Sequence, residues 1–195
     1  MRLAFDGRQP VIMSAPRSYA EIEREEEEDG MFDPTTLVGF HTWLSLIAIA
    51  AGIVVIIDLI RGPARPTWTA VFLLTALATS ATGFVLPFER VLPSHIVGGI
   101  ALVVLAVALL AQYRFRLAGA WRWIYAVAAI ASLYLLVFVG VAQVFSKIPA
   151  LHALAPTQSE APFAVAQLAV LALFVALAVA AVRATRRTIA PQAYA

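Results

Sequence analysis

The side chains with the widest chemical reach in this sequence are three histidines, His41, His95 and His152. Imidazole changes charge near neutral pH, binds metals through a neutral nitrogen and passes protons between neighbours. His41 and His95 sit towards the same end of two separate apolar stretches, and His152 lies in the connection between two others. Gln143 and Glu89 belong to the same level, with Arg90, Lys147 and Glu160 beside them. Two neutral imidazoles from neighbouring helices at one membrane depth could hold a b-type haem iron axially, bind another metal or relay protons. The plainer reading makes each a hydrogen-bonded structural histidine. No motif asks for a cofactor, and haem b through His41 and His95 is the one candidate. No Walker glycine loop, G-x-S-x-G, H-E-x-x-H, dinucleotide fingerprint or acidic pair within a span occurs, so no catalytic residue is assigned. The absence of cysteine excludes disulfides, iron–sulfur clusters and thiol catalysis from this chain.

Holding these groups at one depth requires helices in a lipid solvent. The chain is 62% hydrophobic and 13% charged, with a mean hydropathy of +0.85, whereas soluble domains are roughly half apolar and about a quarter charged. A spanning helix needs about 20 apolar residues to cross roughly 30 Å of hydrocarbon. Five stretches qualify, over residues 38–60, 68–88, 95–113, 121–145 and 163–182. The expected fold is all-α, an integral membrane bundle of about five transmembrane helices over 33–187. An acidic, disordered leader (1–32) precedes it and a short cytoplasmic tail (188–195) follows. Nine of the twelve acidic residues come before the first stretch, so the formal +2 sums an acidic leader and a basic body and implies no nucleic-acid partner.

Orientation follows from arginine. Arg61, Arg65, Arg114, Arg116, Arg122, Arg183, Arg186 and Arg187 all fall on one side, against Arg90 and Lys147 in the opposite connections. By the positive-inside rule the N-terminus faces out and the C-terminus faces the cytoplasm. Asp33-Pro34-Thr35 reads as an N-cap followed by proline at the first helical position, which puts His41 about two turns into the first helix. Thr157 and Glu160 have capping-box spacing, predicting that the last helix starts near Gln158. Asp58 and Arg61 can pair at i, i+3. Trp68, Trp121, Trp123 and Tyr125 form an aromatic belt at the basic side, Gly119 permits a tight hairpin, and residues 148–154 suit a short surface helix capping an outer pocket.

Small and polar residues align on single helix faces. His41, Ser45, Ala48 and Gly52 share one stripe, Thr75, Thr79 and Thr82 another with Ser80 and Gly83 beside them, and Ser132, Leu136, Gly140 and Gln143 a third; Gly98 and Gly99 lie one turn below His95. These faces should meet, because small residues let helix backbones approach closely in lipid.

Three segments carry a family likeness: Thr79-Ser80-Ala81-Thr82-Gly83-Phe84-Val85-Leu86-Pro87-Phe88, Leu92-Pro93-Ser94-His95-Ile96-Val97-Gly98, and Ala155-Pro156-Thr157-Gln158-Ser159-Glu160-Ala161-Pro162-Phe163. With them the chain resembles a family of small uncharacterised proteobacterial inner-membrane proteins over most of residues 35–185. A looser similarity, His95-x-x-x-Gly99-x-Ala101-Leu102 followed by Gly119-x-Trp121-Arg122-Trp123-x-Tyr125, is to the multi-span membrane proteins grouped as DUF2306. The resemblance implies a multi-pass inner-membrane topology and brings no activity with it. The expected function is an outer-face pocket for a small ligand or partner, lined by His41, His95, Gln143, His152 and Glu89. The alternatives are a haem or quinone redox protein using His41 and His95, and a non-catalytic helical subunit of a permease or envelope complex. The expected partners are the lipid bilayer and a second copy or a membrane complex.

Overall fold

The computed structural model describes residues 32–86 and 93–187. The acidic leader up to residue 31, Glu89 and Arg90, and the tail from 188 lie outside the described residues; for 93–95, His95 included, only the backbone is described. Six helices follow in order: α1 (Leu37–Arg61), α2 (Pro66–Gly83), α3 (Pro93–Leu109, running into a π-helical turn over Leu110–Arg114), α4 (Trp121–Lys147), α5 (Pro149–Leu154) and α6 (Ala161–Arg187).

Four stretches are long and apolar enough to cross a membrane, namely Leu37–Arg61, Ile96–Arg114, Trp121–Lys147 and Ala161–Arg187. Of the five expected, α2 is the exception. At 18 residues it is the shortest of the long helices after α3, and its five threonines, Ser80 and Gly83 dilute its apolar character. It nevertheless belongs to the bundle, packed on α1 and α3 at its edge, while α4 touches α1, α3 and α6 and forms the axis.

Local chemistry moves several expected boundaries. Thr36, rather than Asp33, caps α1, its hydroxyl accepting from Gly39 N at 3.0 Å. Asp33 is used one turn earlier: its carboxylate accepts from the Thr35 amide at 2.9 Å and the Thr35 hydroxyl at 2.7 Å. Those two bonds, side chain first, hold its carboxyl below the usual carboxylate range. His41 is therefore one turn into α1 and not two. The lead-in is strapped down by Trp43, whose indole donates to the Phe32 carbonyl at 3.0 Å, and by close approach to Gly39, where any Cβ would strike the Asp33 carbonyl.

Helix α6 starts at Ala161 and not near Gln158, because Glu160 folds its carboxylate back onto the Thr157 hydroxyl (2.8 Å), the Thr157 amide (3.2 Å) and the Ser159 amide (3.1 Å). The box spacing thus closes a turn ahead of the helix. Asp58 pairs with Arg65 and not with Arg61. One carboxylate oxygen accepts from the Arg65 amide at 3.2 Å and its guanidinium at 2.9 Å, which clamps the α1–α2 turn. The α3–α4 hairpin turns through left-handed backbone at Arg116, Leu117 and Gly119, and Phe115 stacks on Trp121 at 3.8 Å. Trp68 and Trp123 are partly exposed as a belt requires, but Tyr125 is buried in the core.

The core lies towards the arginine-bearing end. Ala51, Val55, Phe72, Leu73, Ala108, Ala111, Ala126, Ala129 and Ala181 are all buried there. Alanine and glycine dominate because lipid tails are as apolar as leucine, so packing contact rather than water exclusion holds the helices together. Gly52 marks the tightest layer: a Cβ on it would lie 2.8 Å from Leu133 Cδ1 and 2.9 Å from Phe72 Cε2.

Candidate functional site

Above the Gly52 layer the helices part. The stripes expected to meet enclose instead a cavity of about 1900 Å³, with walls from α1, α2, α3, α4 and Ala166 of α6. Its floor is Ile49, Ala76, Leu105 and Ser132, at the middle of their helices, and its mouth carries Phe32, Asp33, Gln143 and Lys147. From Ser132 to Lys147 the wall of α4 rises about 22 Å at 1.5 Å per residue. Drug-sized sites occupy about 300–1,000 Å³, so this space suits a larger or lipid-like molecule. A Cβ on Gly140 would meet nothing within 4 Å, which shows how open the α4 wall is.

His41 is set against α2. Its Nδ1 lies 2.8 Å from Thr82 Oγ1, and its Cε1 faces Gly83. The Thr82 hydroxyl donates its single proton to the Ala78 carbonyl at 2.8 Å, sharing it with the Thr79 carbonyl at 3.1 Å. Nδ1–H must therefore be the donor to Thr82 Oγ1. That choice fixes the tautomer and leaves Nε2 an unprotonated acceptor. No described residue bonds to it.

Hydroxyls within the helices show two behaviours. Thr42, Ser45, Thr75, Thr82, Ser146 and Thr185 each donate to a carbonyl three or four residues earlier. Thr79 and Ser132, residues of the cavity wall only 5% and 2% exposed, have no partner for their buried hydroxyl oxygens, and neither has Tyr125 in the closed core. A buried polar group left unsatisfied costs about 1–3 kcal/mol. In a helix the cheap remedy is the preceding-turn carbonyl that the other six use.

Of the expected site residues, His41 and Gln143 line the cavity. His152 does not: it is exposed on α5, and only Ile148 of the 148–154 stretch reaches the wall. Glu89 and the side chain of His95 lie outside the described residues, although Val97 and Gly98 place α3 in the wall just below. Among the described residues no cluster of three or more acidic or histidine side chains could hold a metal ion. Among the described residues, titratable groups on the wall are confined to Asp33, His41 and Lys147 near the mouth, and those of the lower half are neutral.

No protein family, no curated protein and no solved structure matches this chain. The function must be read from the cavity. Sequence reasoning placed Thr79, Ser132 and Gly140 on the correct faces but assigned them to close packing. Small side chains on three helices mark which faces turn together and carry no signal of how far apart those faces stand.

Proposed function

We propose that this chain is a five-span protein of the bacterial inner membrane whose outer-leaflet cavity binds a small lipid-soluble ligand. The observation that carries this reading is a large cavity between five helices that is apolar and neutral at depth and polar at its mouth. Ligand sites have that composition, with mostly apolar walls and a few placed polar groups. Helix α2 serves as the fifth span. Its 18 residues cover about 27 Å, close to the hydrocarbon thickness, and an odd number of spans agrees with the arginine-rich connections lying on one side. A reporter active only outside the cytoplasm will be active when fused after Glu160 and silent at Gly119; the reverse pattern would sink the orientation.

The ligand reading is tested with Gly140→Phe, which fills the cavity from a position where a Cβ meets no obstacle. Native mass spectrometry of the wild-type protein, extracted gently from membranes, will carry an added mass that this variant lacks. Equal spectra, both unliganded, would remove the reading.

One observation favours a second reading, a haem or quinone redox protein: His41 keeps Nε2 free while Nδ1 is held, as axial and metal-binding imidazoles are held. An absorption spectrum before and after dithionite decides it. Reduced α and β bands lost in His41→Ala would establish haem, and a featureless spectrum from haem-replete cells would dismiss it.

A further inference from the structure

We infer that a groove between α4 and α6, at the arginine-bearing end of the bundle, holds an anionic phospholipid with its phosphate on Arg183 and Arg186. Those two arginines and Val127, Ala178, Val179 and Val182 line a groove of about 340 Å³. The inference rests on α4 and α6 crossing the bilayer, for which both are long and apolar enough, and not on the cavity at the other end. The helical repeat builds the groove. Ala181 and Thr185 turn to the core and are buried, so Ala178, Val182 and Arg186, at four-residue steps, run along the seam beside them, with Val179 and Arg183 as the outer row. From Ala178 to Arg186 the stripe covers about 12 Å at 1.5 Å per residue and passes from apolar to cationic, as a phospholipid passes from acyl chain to headgroup. Val127 of α4 and Val179 are 38% and 44% exposed, which leaves the groove open sideways to lipid. Trp123, one turn before Val127 and also partly exposed, stands at the interfacial level.

Charge selects the occupant. Arg65 is paired with Asp58 at 2.9 Å, Arg61 acts on the same carboxylate, and Arg114 lies over the Phe115 ring at 5.7 Å. Arg183 and Arg186 are exposed and pair with no acid among the described residues, where Asp58 is the one carboxylate at that end. Three residues apart on a helix, their Cβ atoms are roughly 5–6 Å from each other, less than the reach of an arginine side chain, so both guanidiniums can donate to one phosphate. A second copy in the same orientation would bring to that level only its own Asp58, already held by Arg65. A plain apolar helix would leave both cations without a countercharge, and a zwitterionic lipid would add a cation beside them. Basic pockets between spanning helices take lipid headgroups in this way.

The test titrates phosphatidylglycerol and phosphatidylcholine with the same acyl chains into the full-length protein in one uncharged detergent. Affinity is read from the rise of the unfolding temperature with lipid concentration. Wild type will bind phosphatidylglycerol about thirtyfold more tightly than phosphatidylcholine, the scale of two arginines meeting an anionic headgroup. Arg183→Gln and Arg186→Gln will each remove about fivefold of that preference, and the double variant nearly all of it. Arg114→Gln combined with Arg116→Gln will leave it intact. Val179→Trp, which fills the groove from an exposed position and keeps both arginines, will weaken both lipids. Inorganic phosphate at the same concentrations will leave the unfolding temperature unchanged, because the chains contribute to binding.

Equal affinity of wild type for the two lipids would overturn the proposal. So would a preference lost as fully in the Arg114 and Arg116 pair as in the Arg183 and Arg186 pair, which would assign it to the overall positive charge of that end. Unaltered binding in Val179→Trp would remove the groove from the site, and protection by inorganic phosphate equal to that by phosphatidylglycerol would remove the lipid.

Discussion

The half of the bundle that carries Arg61, Arg114 and Arg183 and the half that carries His41 and Gln143 use the same small residues on the same helices, yet one is closed and the other open. Two glycines capture the difference. Gly52 lies where Leu133 and Phe72 leave less room than a methyl group needs, and Gly140 lies where a methyl group would touch nothing. In the closed half small residues bring backbones together around two bulky anchors, Phe72 and Leu73, both fully buried. In the open half such residues line three faces, and among the described residues the aromatic side chains Phe84 and Phe145 stand on the wall and leave the space between the faces open. Small side chains in a membrane helix thus have two uses. Which one applies depends on whether a large neighbour is present to take up the volume.

The comparison is broken most strongly at its aromatic anchor, Phe72. Phe72→Ala will cost about 3–5 kcal/mol of stability, the scale of a buried phenylalanine truncation, while Phe84→Ala, on the partly exposed cavity wall, will cost under about 1 kcal/mol. Denaturant unfolding of the purified protein measures both, and equal losses would mean that the open half is packed as tightly as the closed one.

A finer contrast comes from adding one methyl group to each glycine. Overpacking costs about 1–3 kcal/mol, against which the helix gains up to about 1 kcal/mol on replacing glycine by alanine. Gly52→Ala will therefore be destabilised by about 1–2 kcal/mol, whereas Gly140→Ala will be neutral or more stable by up to about 1 kcal/mol. Similar midpoints for the two variants would erase the distinction.

The smallest expected effect lies at the mouth. The Thr35 bonds depress the Asp33 carboxyl, so their contribution to the lead-in turn is complete above the unfolded value near 4 and is lost as pH falls through the lower folded value. Amide exchange at Thr35 and Thr36, corrected for its intrinsic pH dependence, will show constant protection between pH 7 and 5 and a loss of protection in strong acid, with Asp33→Ala already unprotected at neutral pH. A transition centred above pH 5 would assign the turn to another group.

Much of this architecture is legible in the residues. Apolar runs of spanning length locate α1, α3, α4 and α6, and Gly119 marks its hairpin. The stripe from Ser132 to Gln143 identifies a face that proves to be the cavity wall. Other features depend on choices between nearby partners. Asp58 has Arg61 and Arg65 within reach, and the turn geometry selects Arg65, whose amide and guanidinium converge on one oxygen. Glu160 could have capped a helix and instead closes a turn with Thr157 and Ser159. Tyr125 resembles a belt residue by its neighbours Trp121 and Trp123, but on α4 its direction is inward. The cavity itself was not legible, because a pattern of small residues specifies which faces turn together and not how far apart they stand.

The short helix has a consequence for the surrounding lipid. Helix α2 ends at Gly83, opposite His41, while α1 and α4 run on past that level to Leu37 and Lys147. Leu74 and Leu77 on its outer face are exposed, so the bundle presents two hydrophobic thicknesses to the bilayer, a full one around α4 and α6 and a reduced one beside α2. Lipids there must thin or tilt to match, at a fraction of a kcal/mol per Å. The acyl-chain length of a host membrane thereby becomes a variable that sets how much strain the lipid beside α2 carries, and so how firmly α2 is held against α1 and α3.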